Sequence, residues 1–364
     1  MTEMMPVNVL GFQSHRDHFA IDFDKEHLRD RISELRGTTR TDNELRQKYA
    51  LKDGGSWRLS EVRRRLQSDG DWEKHIIRCA YRPFDWRMSY FSTVAMDRPR
   101  RELLDHVAGR ENLCLNTVRQ TRAEYWQHAV ASDAPAPAVF VEIKDGSTVF
   151  PLYLYPQDDN LLDAAEEGRR PNLSPEFVNE LSEKLGLSFV PDGTGDLADT
   201  FGPEDVFHYA YAVFHSPTYR SRYAEFLKRD FPRLPPTSER GLFAALAGKG
   251  AELVGLHLMT SPALNNLITR FPEGGDNVVE KVRYDMANNR VHINSAQYFE
   301  GVPEETWGFR VGGYQVLDKW LKDRRGRALT SADVRHYQRI VVALTQTRRL
   351  MREIDETIPG WPMG

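Results

Sequence analysis

Asp133, Glu142 and Lys144 have the residue types of a metal-dependent nuclease, in which carboxylates bind Mg²⁺ and a lysine stabilises charge beside the attacked phosphate. On an extended strand Glu142 and Lys144 share one face, as an ordinary solvated pair does, and an acid two residues before a lysine is common by chance. His15 and His18 flank Asp17, but no third and fourth ligand stands at a diagnostic metal spacing, so loop histidines are the default. Phe189-Val190-Pro191-Asp192-Gly193-Thr194-Gly195 imitates a strand entering a nucleotide loop whose amides cradle an anion. It lacks both the glycine pattern and a helix directly behind it, and reads as a flexible linker. There is no phosphate-loop lysine, no cysteine–histidine dyad and no Gly-x-Ser-x-Gly elbow. The sequence offers no convincing catalytic centre.

What remains is arginine among aromatics. Arg82, Arg87, Arg98, Arg100, Arg119 and Arg122, with Arg101, lie among Tyr81, Phe84, Trp86, Tyr90, Phe91, Tyr125 and Trp126. Guanidinium groups bind phosphates and guanine edges bidentately, and short amides such as Asn116 and Gln120 can read adenine edges. The plain alternative is a buried turn at Tyr81–Arg87 in which Arg82 or Arg87 pairs with Asp85, since Tyr81 to Tyr125 holds 8 basic against 6 acidic residues. A second cluster follows Gly312-Gly313: Tyr314, Gln315, Lys319, Lys322, Arg324, Arg325 and Arg327 read as a short helix presenting cations at its end. Cations stabilise a helix C-terminus in themselves. Five in nine residues exceed what capping needs, and phosphate contact is the better account.

The elements that must position these groups are strands early and helices late. Leu28, Ile32 and Leu35 place a helix over Asp24 to Arg36, and Ser60 is a candidate cap for another to Leu66. Tyr81–Arg87 interrupts the chain with a proline, and Met88 to Val94 and Asn112 to Thr121 read as strands, with Leu103 to Val107 helical between them. Asp145-Gly146 between Ala138–Ile143 and Thr148–Tyr155 is the strongest hairpin signal, and Val278–Tyr284 with Arg290–Ile293 turns at Asn288-Asn289. Helices are expected over Glu176–Leu185, Glu204–Phe214, Pro217–Phe231, Gly241–Met259 and Ala332–Ile354. The fold class is α+β, with a strand-rich first half carrying hairpins and a largely helical second half.

The 364 residues, 40% hydrophobic and 28% charged, exclude disorder as a description of the whole and suit one large domain or two coupled ones. Cys79 and Cys114 are too few for a disulfide framework or a four-thiolate zinc site, as in a reducing cytosol. No apolar run approaches the roughly 20 residues of a membrane span, and a signal-peptide pattern is missing, so a cytoplasmic protein is expected. The net charge of -4 conceals an uneven distribution. Trp126–Asp205 carries 16 acidic and 4 basic residues, whereas Trp307–Arg352 carries 11 basic and 3 acidic.

Several long blocks resemble a known family: Val7–Asp17 (VNVLGFQSHRD), Tyr81–Arg87 (YRPFDWR), Arg98-Pro99-Arg100, Phe150–Tyr155 (FPLYLY), Asp205–Arg220 (DVFHYAYAVFHSPTYR) and Phe309–Leu321 (FRVGGYQVLDKWL). They are similar to the carboxy-terminal target-recognition, or specificity, region of type ISP restriction-modification enzymes, from about Val7 to Ile354. The resemblance implies a reader of double-stranded DNA within a longer polypeptide that carries a nuclease, a helicase-like translocase and an adenine N6 methyltransferase. This sequence has no Asn-Pro-Pro-Tyr or Asp-Pro-Pro-Tyr motif, no S-adenosylmethionine glycine loop and no Walker lysine. S-adenosylmethionine, ATP and Mg²⁺ are therefore expected for the full system and none of them for this chain.

The resulting expectation is sequence-specific DNA recognition by the two arginine-rich clusters, with no catalytic or metal-binding residue. The partner is a methyltransferase and helicase–nuclease portion in cis or in trans. Residues 1–20 are expected to be the trailing edge of a methyltransferase-like region, 21–160 a sheet-rich recognition lobe, 161–205 an acidic linker or insert, and 206–356 a helical lobe with a basic end. The alternatives are a fragment that completes an adenine N6 methyltransferase with a partner chain, the Mg²⁺-dependent nuclease of Asp133, Glu142 and Lys144, and a remnant that folds but binds nothing.

Overall fold

The computed structural model describes residues 1–55, 57–156, 168–361 and 363. Strands concentrate in the first half and long helices in the second, in the expected α+β order. Part of the acidic segment, residues 157–167, lies outside the described residues.

Two antiparallel sheets organise the first half. In the four-stranded one, Thr148–Pro151 lies between Val9–Leu10 and Cys114–Thr117, and Val130–Ser132 closes the far edge. In the three-stranded one, Asp85–Tyr90 runs between Ile21–Asp22 and Ile76–Arg82. The Tyr81–Arg87 block, expected to interrupt the chain, is thus the tip of a hairpin, and Phe84 takes a positive φ of 63° in its turn.

The expected hairpin across Asp145-Gly146 does not form. Both edges of Thr148–Pro151 are occupied by strands more distant in sequence, with Leu115 opposite Phe150 and Val9 opposite Val149. Residues 138–143 leave the sheet as irregular chain and give their carbonyls to another segment: Val139 O accepts from Tyr314 Oη at 2.6 Å and Val141 O from Gly313 N at 3.0 Å. The local turn signal is outcompeted because the strand beside it is buried from Val149 to Pro151 and gains more from two apolar neighbours than from one short return.

Helix ends follow their local chemistry. Asp24 accepts from His27 N at 2.9 Å and starts Lys25–Arg36, whose Leu28, Ile32 and Leu35 are buried. Ser174 with Pro175 opens Pro175–Leu185, and Gly186 ends it in the left-handed region. A Thr330/Asp333 capping box opens the 27-residue helix Ser331–Thr357. Ser60 is not a cap: Leu59–Ser68 begins one residue before it, and Asp53 Oδ1 accepts from Leu59 N at 3.0 Å. The single helix expected over Pro217–Phe231 is two short ones, Pro217–Arg222 and Ala224–Leu227.

Pro203–His215 and Arg240–His257 cross so closely that a Cβ on Gly250 would stand 1.8 Å from His208 O, which is why a glycine sits mid-helix there. Ser331–Thr357 packs on this pair through His257–Thr347 and Lys249–Glu353. Among the described residues the buried apolar side chains form one cluster that includes Met1, Met4, Met5, Phe12 and Phe19 near the start and Met363 at the end, with Val9–Leu10 pairing into the four-stranded sheet. The hairpin Arg283–Asp285 with Arg290–His292 forms as expected and gains a third strand, Tyr298–Glu300.

Candidate nucleic-acid interface

The two arginine-rich clusters dock on each other through residues 239 positions apart, Asp85 and Arg324. Asp85, 1% exposed, is the centre: its Oδ2 accepts from Arg87 Nη2 at 2.7 Å and its Oδ1 from Arg324 Nη2 at 2.8 Å. Arg324 also donates to Trp320 O at 3.1 Å and lies over the Trp320 ring at 3.4 Å. Arg87 is sandwiched between the rings of Phe23 and Tyr81, at 4.0 and 3.8 Å. His336 of the long C-terminal helix holds the turn from outside, with Nε2 2.8 Å from Phe84 O. Burial alone would raise the Asp85 pKa, but Arg324 and Arg87 outweigh it and hold the carboxyl below its ordinary range. A carboxylate between two guanidiniums and aromatic faces is a structural joint.

This placement sorts the residues expected to touch DNA. Arg87 and Arg324, with 11% and 7% of their side chains exposed, direct their guanidiniums to Asp85 in the joint. Tyr314 is buried with its hydroxyl on Val139 O, and Gln315 donates to Trp307 O at 2.8 Å. Arg82 donates to Tyr81 O at 2.6 Å and stacks on Tyr81 and Tyr314. Arg100, half-buried with φ 58°, opens a short helix. Lys319 pairs with Asp323, and Lys322 with Asp318 at 2.6 Å. Asn116, a candidate adenine reader, is wholly buried and donates to Val130 O and Ser132 Oγ. The short helix is there, Val316–Lys322, but its cations largely face carboxylates of the same chain.

Arg98, Arg119, Arg122, Arg325 and Arg327 remain at the surface, as does Gln120. Arg119 is 74% exposed and Arg122 83%, each at the margin of ion-pair range from its carboxylate, Asp230 at 3.4 Å and Asp145 at 3.9 Å. Arg327 lies over Phe23 at 4.1 Å, next to the joint. Exposed pairs of this kind are worth little and yield readily to a phosphate.

A further basic site was not singled out by the sequence. The strap leading to Gln127 crosses the Pro217–Arg222 and Ala224–Leu227 helices, with Thr121 N on Lys228 O at 3.1 Å. Between this strap, the Gly308–Arg310 turn and the last third of Ser331–Thr357 opens a cleft of about 640 Å³. Four arginines line it, Arg220, Arg310, Arg348 and Arg352, against one carboxylate, Glu124. Three of its cations lie in the basic Trp307–Arg352 stretch, but Arg220 comes from a helix about 90 residues earlier, and only the fold brings it beside Arg310.

The catalytic patterns are not assembled. Asp133 accepts from Arg78 at 3.0 Å and Trp86 Nε1 at 3.1 Å, while Glu142 accepts from the amides of Ile143 and Lys144 and faces His128. His15 meets Asp97, His18 meets Tyr49 O, and Asp17 accepts from Ser14 and Tyr81. In the glycine-rich stretch the amides are already used, Gly193 N on Tyr153 Oη at 2.9 Å and Gly195 N on Asp205 Oδ2 at 2.6 Å. Among the described residues no three of His, Cys, Asp and Glu are grouped to hold a metal ion. Nor is any helix among them long and apolar enough to cross a membrane.

Residues 3–353 match the sequence profile of the Type ISP C-terminal specificity domain. The chain belongs to this family. Three solved structures share the fold of this specificity domain: a nuclease-deletion mutant of the Type ISP restriction-modification enzyme LlaGI in complex with a DNA substrate mimic (17% identity, TM-score 0.65), a DrdV–DNA complex (19%, 0.70), and the ATP-dependent Type ISP enzyme LlaBIII bound to DNA (18%, 0.69). Each is matched over 96% of this chain, which spans 28%, 36% and 24% of their respective lengths. No match was found among curated protein sequences.

Proposed function

We propose that this specificity domain reads a target sequence in double-stranded DNA for a Type ISP restriction-modification system, and that cleavage, translocation and methyl transfer are carried by other parts of that system. The observation that carries the reading is the family match across residues 3–353. Exposed arginines on loops, held by a rigid core, supply the chemistry: Arg119, Arg122, Arg325 and Arg327 reach phosphates and base edges, and Gln120 is placed between two of them in sequence. S-adenosylmethionine, ATP and Mg²⁺ are then requirements of the other parts. The buried arginines act indirectly, by fixing where the Arg325–Arg327 loop stands relative to the first-half sheets.

Selection from a randomised duplex pool by mobility shift tests this. Enrichment of one short motif is the expected result. A pool that stays unenriched at both low and moderate salt would remove target recognition from this chain.

A further inference from the structure

We propose that the cleft of Arg220, Arg310 and Arg352 is a phosphodiester-binding pocket for DNA, with Tyr125 stacking on an adjoining base. The proposal rests on the DNA-reading function and adds a site to it.

The charge of the cleft is not balanced from within. Arg348 is paired with Glu305, which lies outside the lining, and Glu124 is the sole carboxylate among the lining residues. Arg220 is the telling group. Its Nε donates to Phe214 O at 2.7 Å, its guanidinium lies 5.8 Å from the Trp126 ring centroid, and among the described residues no carboxylate stands within ion-pair distance of it, Asp355 acting on it only from farther away. Burial draws its pKa down to about 10, which leaves it a cation at neutral pH. A half-sunk guanidinium with one carbonyl partner is costly in the free protein and gains most from an anion that enters the cleft.

Arg310 and Arg352 line the same cleft and are exposed, whereas Arg220 is half-buried, so the cleft offers an entering anion both sunken and solvent-facing donors. Tyr125 is 68% exposed, an uncommon place for a large aromatic ring, and stands on the strap beside these cations. Aromatic faces next to arginines are how proteins hold bases near a bound backbone. The same strap carries Arg119 and Arg122, which makes the pocket continuous in sequence with the exposed arginines of the proposed reading surface.

Fluorescence anisotropy of the full chain with duplex DNA between 50 and 200 mM salt tests the site. Arg310→Ala/Arg352→Ala should weaken binding at least about tenfold at low salt and lower the log–log salt slope by about 0.9 for each phosphate no longer neutralised. Tyr125→Ala should weaken binding several-fold with the slope unchanged, as loss of stacking predicts. These three residues are exposed and their replacement leaves the core intact, so weaker binding is not a folding failure. Parent-like binding by both variants, alongside weakened binding in Arg119→Ala/Arg122→Ala/Arg325→Ala/Arg327→Ala, overturns the pocket and leaves the DNA-reading function standing. A parent chain that binds no duplex at any salt overturns both. Deoxyadenosine monophosphate added as competitor distinguishes the source of the phosphate. If it binds the parent more tightly than duplex does, and Arg310→Ala/Arg352→Ala abolishes that binding, the cleft belongs to a free nucleotide and the proposal fails.

Discussion

Asp85 and Arg324 stand 239 positions apart in the chain and form a 2.8 Å ion pair with 1% and 7% of their side chains exposed. That pair fastens the first-half hairpin to the C-terminal segment, and the rings of Phe23 and Trp320 exclude water around it. Removing one partner strands the other as a buried charge. Asp85→Asn and Arg324→Ala are each expected to lose about 3–5 kcal/mol in urea unfolding. The pair also sets an acid limit. The Asp85 carboxyl is held below its ordinary value in the folded state, so its contribution is complete above the unfolded value near 4 and is lost as pH falls through the lower, folded one. Arg324→Ala should shrink that acid-dependent component of the stability–pH curve, leaving the part that Arg87 supplies.

The surface arginines should behave in the opposite way. Arg119→Ala/Arg122→Ala and Arg325→Ala/Arg327→Ala are expected to change stability by no more than about 0.5 kcal/mol per residue. Each pair should weaken DNA binding and flatten its salt dependence by up to about 0.9 per phosphate no longer neutralised. Unfolding curves and anisotropy titrations on the same preparations check the two halves of this statement together.

Gly312 and Gly326 both have positive φ, 52° and 77°, but different surroundings. A Cβ at Gly312 would lie 1.9 Å from Val141 O, whereas nothing lies within 4 Å of one at Gly326. Gly326→Ala should therefore cost only the backbone strain, about 1–2 kcal/mol. Gly312→Ala adds overpacking against Val141 and His128, for a total of about 2–5 kcal/mol. Thermal and urea unfolding of the two variants side by side measures the difference.

His257 is built to stay neutral. Its Nδ1 lies 2.5 Å from Tyr211 Oη, which accepts from Ala131 N, and its Nε2 lies 2.8 Å from Thr347 Oγ1, which donates to Ala343 O. The network is satisfied when Nε2 carries the proton and Nδ1 accepts. Burial, then nearby Arg220, depresses its pKa to about 3, and burial likewise pushes His215 well below the usual value. The unfolded chain takes up these protons near pH 6.5 while the folded chain does not, so stability falls as pH drops below about 6.5. Each of the two histidines contributes a slope of about 1.4 kcal/mol per pH unit in that range. Denaturant midpoints between pH 7.5 and 5 should show it, and His257→Gln should be less steep by about one proton.

The helices and the general α+β order were legible in the sequence because their signals are local. The Leu28–Ile32–Leu35 stripe acts within two turns of chain, and Lys25–Arg36 formed where it stands, with the expected Glu176–Leu185 and Ala332–Ile354 helices formed close to their expected bounds. The blocks that resemble the type ISP specificity region were legible for a similar reason, since they are continuous stretches of sequence. Strand pairing was legible at the short hairpin of Arg283–Asp285 with Arg290–His292 but not in the larger sheet, where Thr148–Pro151 took Cys114–Thr117 and Val9–Leu10 instead of the neighbour across its own turn.

By itself, then, the sequence determined the elements, the family and the presence of arginine in excess near the end of the chain. Only the tertiary structure decided which arginines are available to a ligand. Arg324 and Arg325 are adjacent and chemically identical, yet Arg324 is drawn inside by Asp85 and Arg325 is left in water. A guanidinium's role depends on the carboxylates and rings that surround it in space, and here the deciding carboxylate, Asp85, stands 239 residues away.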